Sequence, residues 1–405
     1  MPRHARQPSR LLAAAALALL ALLPAAAAAD HRVDFTLDLG PEIAAGRFDP
    51  AHDAVGLRGA AAPLSWQQTL PAHAVGDGRY EAVVDFADDA GQGQPLTYKF
   101  KIDRPGAPPD AGWEPGPNRT LRLAGAAQRV ERAFGAEVAA PPLSRVGTIE
   151  RLAPLPSRFI GARGLQVWLP PGYADHPAQR YPVLYLHDGQ NVFDAAAAGA
   201  EWQVDEAAQA GVEAGRLRPF IVVAVDNTAE RLADYTPTAA RGADGQLHGG
   251  QGPAYAHYLV EELKPYIDAH FRSLPDAAHT AVGGSSLGGL ISMWLALHHA
   301  DVFGAALVVS PSVWWDERRL LRDVAATQWP DARRPRVWLD IGTREGDGTV
   351  PDARALRDAL RARGWSDATL AYLEAPGATH DEASWAARVP AMLDFLYRAE
   401  PAAAQ

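Results

Sequence analysis

The chain has 405 residues, 48% of them apolar and 21% charged, and it contains no cysteine. That length exceeds one typical domain of about 100–200 residues, and the composition excludes a disordered chain, a disulfide scaffold, a cysteine nucleophile and a cysteine-ligated metal. A formal net charge of −10 argues against nucleic acid as a partner, because phosphate contacts need clustered Lys and Arg.

Residues 1–29 read as a signal peptide. Arg3, Arg6 and Arg10 form a basic start, and Leu11 to Leu23 is an apolar run of 13 residues. That run suits a signal h-region and falls short of the roughly 18 residues needed to span a bilayer. Ala27-Ala28-Ala29 before Asp30 fits a small-x-small cleavage rule. Cleavage removes three arginines and no acid, which takes the net charge from −10 to −13. The expectation is a periplasmic or secreted protein with no membrane contact after cleavage.

Residues 30–135 carry short runs bounded by Gly, Pro and Asp: Arg32–Leu39, Ala54–Leu57, Arg79–Phe86 and Leu96–Ile102. Arg79–Phe86 alternates with period two, as a half-buried strand does, and the segment predicts a small all-β, immunoglobulin-like sandwich. Residues 136–147, with Pro141-Pro142, read as a linker. Residues 148–398 alternate continuous apolar runs with helical patterns. The runs are Val183–Leu186, Phe220–Val225, Ala306–Val309 and Val337–Leu339. The helical patterns are Ala254–Phe271, Leu287–Phe303, Asp352–Arg363 and Asp381–Tyr397. This predicts an α/β fold with a doubly wound, mostly parallel sheet, whose chemistry sits at the carboxyl ends of the strands. Residues 399–405 form a tail.

The most informative stretch is His279 to Gly289, which holds G-x-S-x-G as Gly284-Ser285-Ser286-Leu287-Gly288 between an apolar strand and an apolar helix. Such a turn strains the serine and exposes its hydroxyl, so Ser286 is the candidate nucleophile. The plain alternative is a Gly/Ser turn that only packs. The N–H of Leu287 opens the helix and suits an oxyanion. The second donor is expected from Leu186-His187-Asp188-Gly189-Gln190-Asn191, at the N–H of Gly189 or Gln190, with His187 ordering that loop. Of the 13 histidines, His380 follows the last strand, where an α/β-hydrolase carries its base. The orienting acid follows the preceding strand. Asp340 is too early, Glu345 is preferred and Asp347 is next. Trp314 and Trp315, after the strand beyond the nucleophile, are candidates to line a substrate pocket, and Trp202 is a weaker one. No metal or phosphate-loop motif is present, so neither metal nor cofactor is expected.

These blocks resemble the "Putative esterase" family of α/β-hydrolases, which includes enterochelin and other siderophore esterases, feruloyl esterases and mycolyltransferases. Further matches are Val167–Tyr173, Glu201-Trp202-Gln203-Val204-Asp205, Asp234-Tyr235-Thr236-Pro237 and Ser310-Pro311-Ser312-Val313-Trp314-Trp315. The resemblance implies serine-dependent hydrolysis of carboxylic esters through an acyl-enzyme. The substrate would be a small-molecule, siderophore-linked or carbohydrate-linked ester. The alternatives are acyl transfer to a sugar hydroxyl, or an α-glucan-binding protein with incidental hydrolase activity. The N-terminal segment resembles family 20 starch-binding and glycogen-binding sandwiches, which implies a glucan site at Trp66, Lys99 and Trp113. The competing reading of these residues is packing, with the module supporting the esterase.

Overall fold

A computed structural model of the chain describes residues 31–87, 90, 95–108, 111–136, 144–196, 199–242, 244–327 and 334–399. The expected signal peptide, residues 137–143 of the linker and the tail beyond 399 lie outside the described residues.

The first eight strands are β1 (His31–Asp38), β2 (Ala54–Gly59), β3 (Leu70–Pro71), β4 (His73–Gly76), β5 (Arg79–Phe86), β6 (Leu96–Asp103), β7 (Arg119–Leu121) and β8 (Ala127–Ala133). They form two four-stranded sheets, β4-β5-β1-β8 and β3-β2-β6-β7. Alternation sets the inner faces. β5 buries Ala82, Val84 and Phe86 and turns Glu81, Val83 and Asp85 outward. Those inner residues share one core with Phe35 and Leu37 of β1 and with Leu57, Tyr98 and Phe100 of the other sheet. The result is the small all-β sandwich. Strand β8 pairs in parallel with β1 and buries only Val130, so it carries no periodic apolar signal.

Glu114 and Arg119 form a buried ion pair beside β6. Arg119 donates to both Glu114 oxygens at 2.7–3.0 Å, and the Phe100 N–H donates to the same carboxylate at 2.9 Å. Removing only the cation strands a buried carboxylate. Arg119→Met is therefore expected to destabilise the sandwich by about 3–5 kcal/mol, read from its denaturant midpoint.

The second half contains β9 (Thr148–Leu155), β10 (Arg163–Leu169), β11 (Val183–His187), β12 (Ile221–Val225), the hairpin β13 (Ala239–Arg241) and β14 (Leu247–Gly249), then β15 (Thr280–Ser285), β16 (Ala305–Val309), β17 (Arg336–Gly342) and β18 (Leu370–Ala375). Apart from the hairpin, these make one eight-stranded sheet in the order β18-β17-β16-β15-β11-β12-β10-β9. The six strands from β18 to β12 in that order run parallel, and β10 and β9 add an antiparallel edge. Alternate residues of β11 enter opposite cores. Val183 and Tyr185 pack on one face with the helix Leu287–His298, and Leu184 and Leu186 pack on the other with the helix Val389–Tyr397. This is a doubly wound α/β-hydrolase sheet. β12 lies on one side of β11 and β15 on the other, so strand order reverses between β11 and β15, where a ligand crevice is expected.

Several helical patterns have different limits from those expected. Asp381–Tyr397 is two helices, Glu382–Ala386 and Val389–Tyr397, the second with a proline in its first turn. Leu287–Phe303 stops at His298, because His299 leaves helical geometry at φ −130°. Among the described residues, no helix is long and apolar enough to cross a membrane.

Candidate active site

Three neighbouring strands end in non-glycine residues with left-handed backbone. Asp188 follows β11 at φ 58°, Ser286 follows β15 at φ 59° and Ser310 follows β16 at φ 43°. Such conformations cost of order 1–3 kcal/mol each and concentrate where a side chain must be held for chemistry. All three lie at the strand-order reversal or one strand beyond it.

Ser286 has ψ −120° and caps the helix Leu287–His298. Its N–H donates to Val309 at 3.0 Å, and its carbonyl accepts from the Ser312 N–H at 3.0 Å. The elbow is thus pinned to the end of β16. A Cβ at Gly284 would come within 2.9 Å of the His187 ring, and one at Gly289 within 2.8 Å of the Val309 carbonyl oxygen. At Gly288 the nearest atom would be 3.5 Å away, an ordinary contact. The tight second glycine is therefore Gly289, one place beyond the pentapeptide.

The Ser286 hydroxyl is hydrogen bonded to Ser312 Oγ at 3.2 Å. Ser312 and His380 line the same cleft, together with Gln67, Trp314 and Glu345. His380 Nδ1 donates to Glu345 Oε2 at 2.8 Å, and the His380 ring stands edge-on to Trp385 at 5.2 Å. With Nδ1 protonated, Nε2 is the nitrogen left with a free lone pair. The Ser286 hydroxyl is bonded to Ser312 and not to His380 here, and hydrogen bonds between a nucleophile and its base commonly form or tighten only when substrate binds.

Glu345 is buried, and its other oxygen accepts from the Gly342 N–H at 2.7 Å and from Ser310 Oγ at 2.5 Å. Asp347 is exposed. Geometry therefore separates the two carboxylates left open by sequence. Asp340 is fully buried inside β17, bonded to the Trp338 indole N–H at 2.7 Å rather than to His380. Arg388 bridges the group, 3.3 Å from Asp340, 2.9 Å from Ser310 Oγ and 3.8 Å from Glu345. Burial pushes the Asp340 carboxyl above its usual range, with Arg388 pulling the other way.

The loop after β11 is held from several sides. Asp188 receives two hydrogen bonds from Arg231, at 2.7 and 2.8 Å, and another from Asn227. Burial would raise its pKa, but these partners more than offset that and hold it low. His187 is buried between Tyr235 and Tyr255, with Nδ1 2.9 Å from the Tyr255 hydroxyl. Burial drives its pKa down to about 4, so it is neutral and orders the loop. A Cβ at Gly189 would stand 2.7 Å from the backbone of Ala224 and Val225, so only glycine fits there. Gln190 is clasped by Asn227, accepting its N–H at 3.0 Å and donating to its side chain at 2.7 Å. Leu287 opens its helix, where the first N–H groups have no intrahelical partner.

The tryptophans separate. Trp314 is 41% exposed and lines the cleft beside His380. Trp315 is buried, donates to the Thr238 carbonyl at 2.8 Å and packs in a different hollow with Leu290 and Trp294. Trp202 is buried against Trp385. In the sandwich, Trp66 and Trp113 pack together, but the cations over the Trp113 ring are Arg58, at 5.2 Å, and Lys101, at 5.7 Å, rather than Lys99. The Lys99 ammonium donates to the Gly116 carbonyl. The Trp66 and Trp113 rings are tilted by 55° at 6.1 Å, and the Trp66 N–H donates to the His380 carbonyl at 2.9 Å. They do not form a free, coplanar platform for a sugar.

Among the described residues, carboxylates at metal-ligand spacing occur at Glu201, Asp205 and Glu206, with oxygens within 4.8 Å of one another. Two of them hold the linker instead, Glu201 through Ser144 and Asp205 through the Val146 N–H at 2.6 Å. Burial and the Glu206 carboxyl push Asp205 up to about 8.

Sequence reasoning missed Ser310, Ser312 and Arg388. The signal available for the two serines was their place directly after an apolar strand. Arg388 had none, because its role comes from burial beside two acids. Glu382 was missed as well. It is buried and accepts from Asn191 at 2.9 Å, and burial raises its pKa to about 7, with Asp381 adding to the rise. A folded-state pKa above the unfolded value of 4.5 gives stability that is complete below about pH 4.5 and is lost as pH rises through about 7. The term is of order 3 kcal/mol. Glu382→Gln is expected to flatten the fall in unfolding free energy between pH 5 and 7.5, measured by denaturant titration.

Comparison with known proteins gives the family and the fold. The model of the "Putative esterase" family matches residues 157–396. The chain is 24% identical over 246 residues to the uncharacterized protein YbbA of Bacillus subtilis (strain 168), covering 58% of this chain and 93% of that one. It is 29% identical over 160 residues to the ferri-bacillibactin esterase BesA of the same organism, covering 36% and 53%. Its fold is like that of the enterochelin esterase from Shigella flexneri, with a TM-score of 0.53 at 16% identity over 85% of this chain and 86% of that one. With a family match over more than half its length, the chain belongs to the "Putative esterase" family.

Proposed function

We propose that the protein is an exported serine carboxylic-ester hydrolase that works through an acyl-enzyme. The observation that carries this reading is the 2.8 Å hydrogen bond from His380 Nδ1 to buried Glu345, in a cleft also lined by Ser312, whose hydroxyl is bonded to Ser286 Oγ. His380 Nε2 takes the Ser286 proton as Ser286 Oγ attacks the ester carbonyl. The N–H of Leu287 and that of Gly189 or Gln190 stabilise the oxyanion, each donor contributing roughly 10²–10³ in kcat. Protonated His380 then gives its proton to the leaving alcohol, and water, deprotonated by His380, releases the acid.

The substrate class we infer is an aryl-bearing ester, of the catecholate siderophore or feruloyl kind. Exposed Trp314 supports this, because an indole at the rim of a cleft stacks on an aromatic ring. The siderophore esterases among its relatives support it as well. The test is a panel of p-nitrophenyl acyl esters, feruloyl sugars and catecholate siderophores. A higher kcat/KM on the esters with an aromatic acyl group, feruloyl and catecholate, than on those with a short aliphatic acyl group is expected. Preference for the aliphatic esters would refute the substrate class, and equal turnover by Ser286→Ala would refute the mechanism.

A further inference from the structure

The catalytic-histidine loop is held by the other half of the molecule. The N–H of His380 donates to the Ala60 carbonyl at 3.2 Å, and the carbonyl of His380 accepts from the Trp66 indole N–H at 2.9 Å. Both backbone polar groups of this one residue are satisfied by a sandwich loop more than 300 positions earlier in the chain. Trp66 is itself fixed. Arg58 donates to the Trp66 carbonyl at 2.8 Å and to Thr69 at 2.9 Å, and its guanidinium lies 5.2 Å from the Trp113 ring, which packs on Trp66. The next residue, Gln67, lines the cleft beside His380 and Trp314. The two halves also approach closely at Gly199, where a Cβ would fall 2.9 Å from the Asn118 carbonyl oxygen.

From these contacts we propose that Trp66 is a positioning residue for His380, and that the sandwich loop 60–67 is part of the active site rather than a separate sugar-binding surface. The proposal deepens the functional reading above and rests on His380 being the base. The imidazole has two constraints on its place, Glu345 at Nδ1 and the path of its own backbone. Glu345 sets the ring's tautomer and rotation. The Ala60 and Trp66 contacts set where the Cα stands. General-base catalysis is sensitive to that placement, since a displacement of about 1 Å can cost up to 10²-fold. The loss of one neutral hydrogen bond corresponds to a factor of about 2 to 10.

The experiment compares wild type, Trp66→Phe and a protein carrying benzothienylalanine at position 66, which keeps the indole shape and lacks the N–H donor. The readouts are kcat and KM on the best ester of the panel, and the imidazole NMR signals of histidine-labelled protein, with His380 identified by its loss in His380→Gln. The expected result is a fall in kcat of about 3- to 10-fold in both variants, KM within twofold, a melting temperature lowered by no more than a few degrees for the isostere, and a shifted His380 signal with His187 unmoved. An unchanged kcat and His380 signal in the isostere would overturn the proposal. So would a rise in KM at constant kcat, which would make Trp66 a substrate contact. Should Ser286→Ala keep full turnover, the esterase reading fails, while the His380 signal still reports whether Trp66 holds that loop.

Discussion

Ser286→Ala is expected to lower kcat for ester hydrolysis by about 10⁴- to 10⁶-fold with little change in stability. The substitution removes only Oγ, whose hydrogen bond is a 3.2 Å contact with Ser312. The backbone bonds that shape the elbow, to Val309 and from Ser312, are independent of the side chain. A smaller residue at φ 59° has no new clash, so the variant should fold. The size of the loss follows from losing covalent catalysis altogether, since the remaining oxyanion donors and binding contacts account for only a residual rate over water. A steady-state assay and a melting curve on the same preparation check both halves.

Glu345→Gln is expected to cost about 10²- to 10⁴-fold in kcat, whereas Asp347→Asn should stay within twofold of wild type. A glutamine keeps the volume of Glu345, but its amide cannot receive the Nδ1 proton with the same strength, and it no longer stabilises an imidazolium. The effect is larger here than at an exposed triad because Glu345 has a closed environment. One oxygen faces His380, and the other takes hydrogen bonds from Gly342 and Ser310, with Arg388 close by. An amide NH₂ turned toward Ser310 or Gly342 would lose an acceptor contact, and one turned toward His380 would favour the wrong tautomer. Asp347 is exposed, so its neutralisation disturbs no such network. Parallel measurement of kcat in the two variants separates an orienting acid from an ordinary loop acid.

The sequence displayed what is local. The strand before Ser286, the glycine turn and the helix after it follow one another within about twenty residues, and β15 and Leu287–His298 lie where the pattern put them. Chemistry in a parallel sheet sits at the carboxyl ends of its strands, which points to the loops after β17 and β18 that carry Glu345 and His380. What stayed hidden is made by long-range packing. Arg388 looks like any arginine between two helices until Asp340 and Glu345 are seen beside it. In sequence Trp66 resembles a sugar-binding residue of a sandwich, because its partner lies at position 380 and nothing near Trp66 signals that contact. Trp314 and Trp315 are adjacent in sequence and similar in composition, yet one lines the cleft and the other packs in a separate hollow. Helix ends are hidden where apolar residues continue past the last turn, as with Phe303, which is buried from a loop rather than from a helix.

The central claim is that Ser286 is the nucleophile. The most direct measurement is peptide mass spectrometry after treatment with a fluorophosphonate, which reacts with a serine activated by a neighbouring base. A single adduct on Ser286 is expected, formed in step with loss of esterase activity and absent in Ser286→Ala. An adduct on another residue, or complete inactivation with Ser286 unmodified, would contradict it.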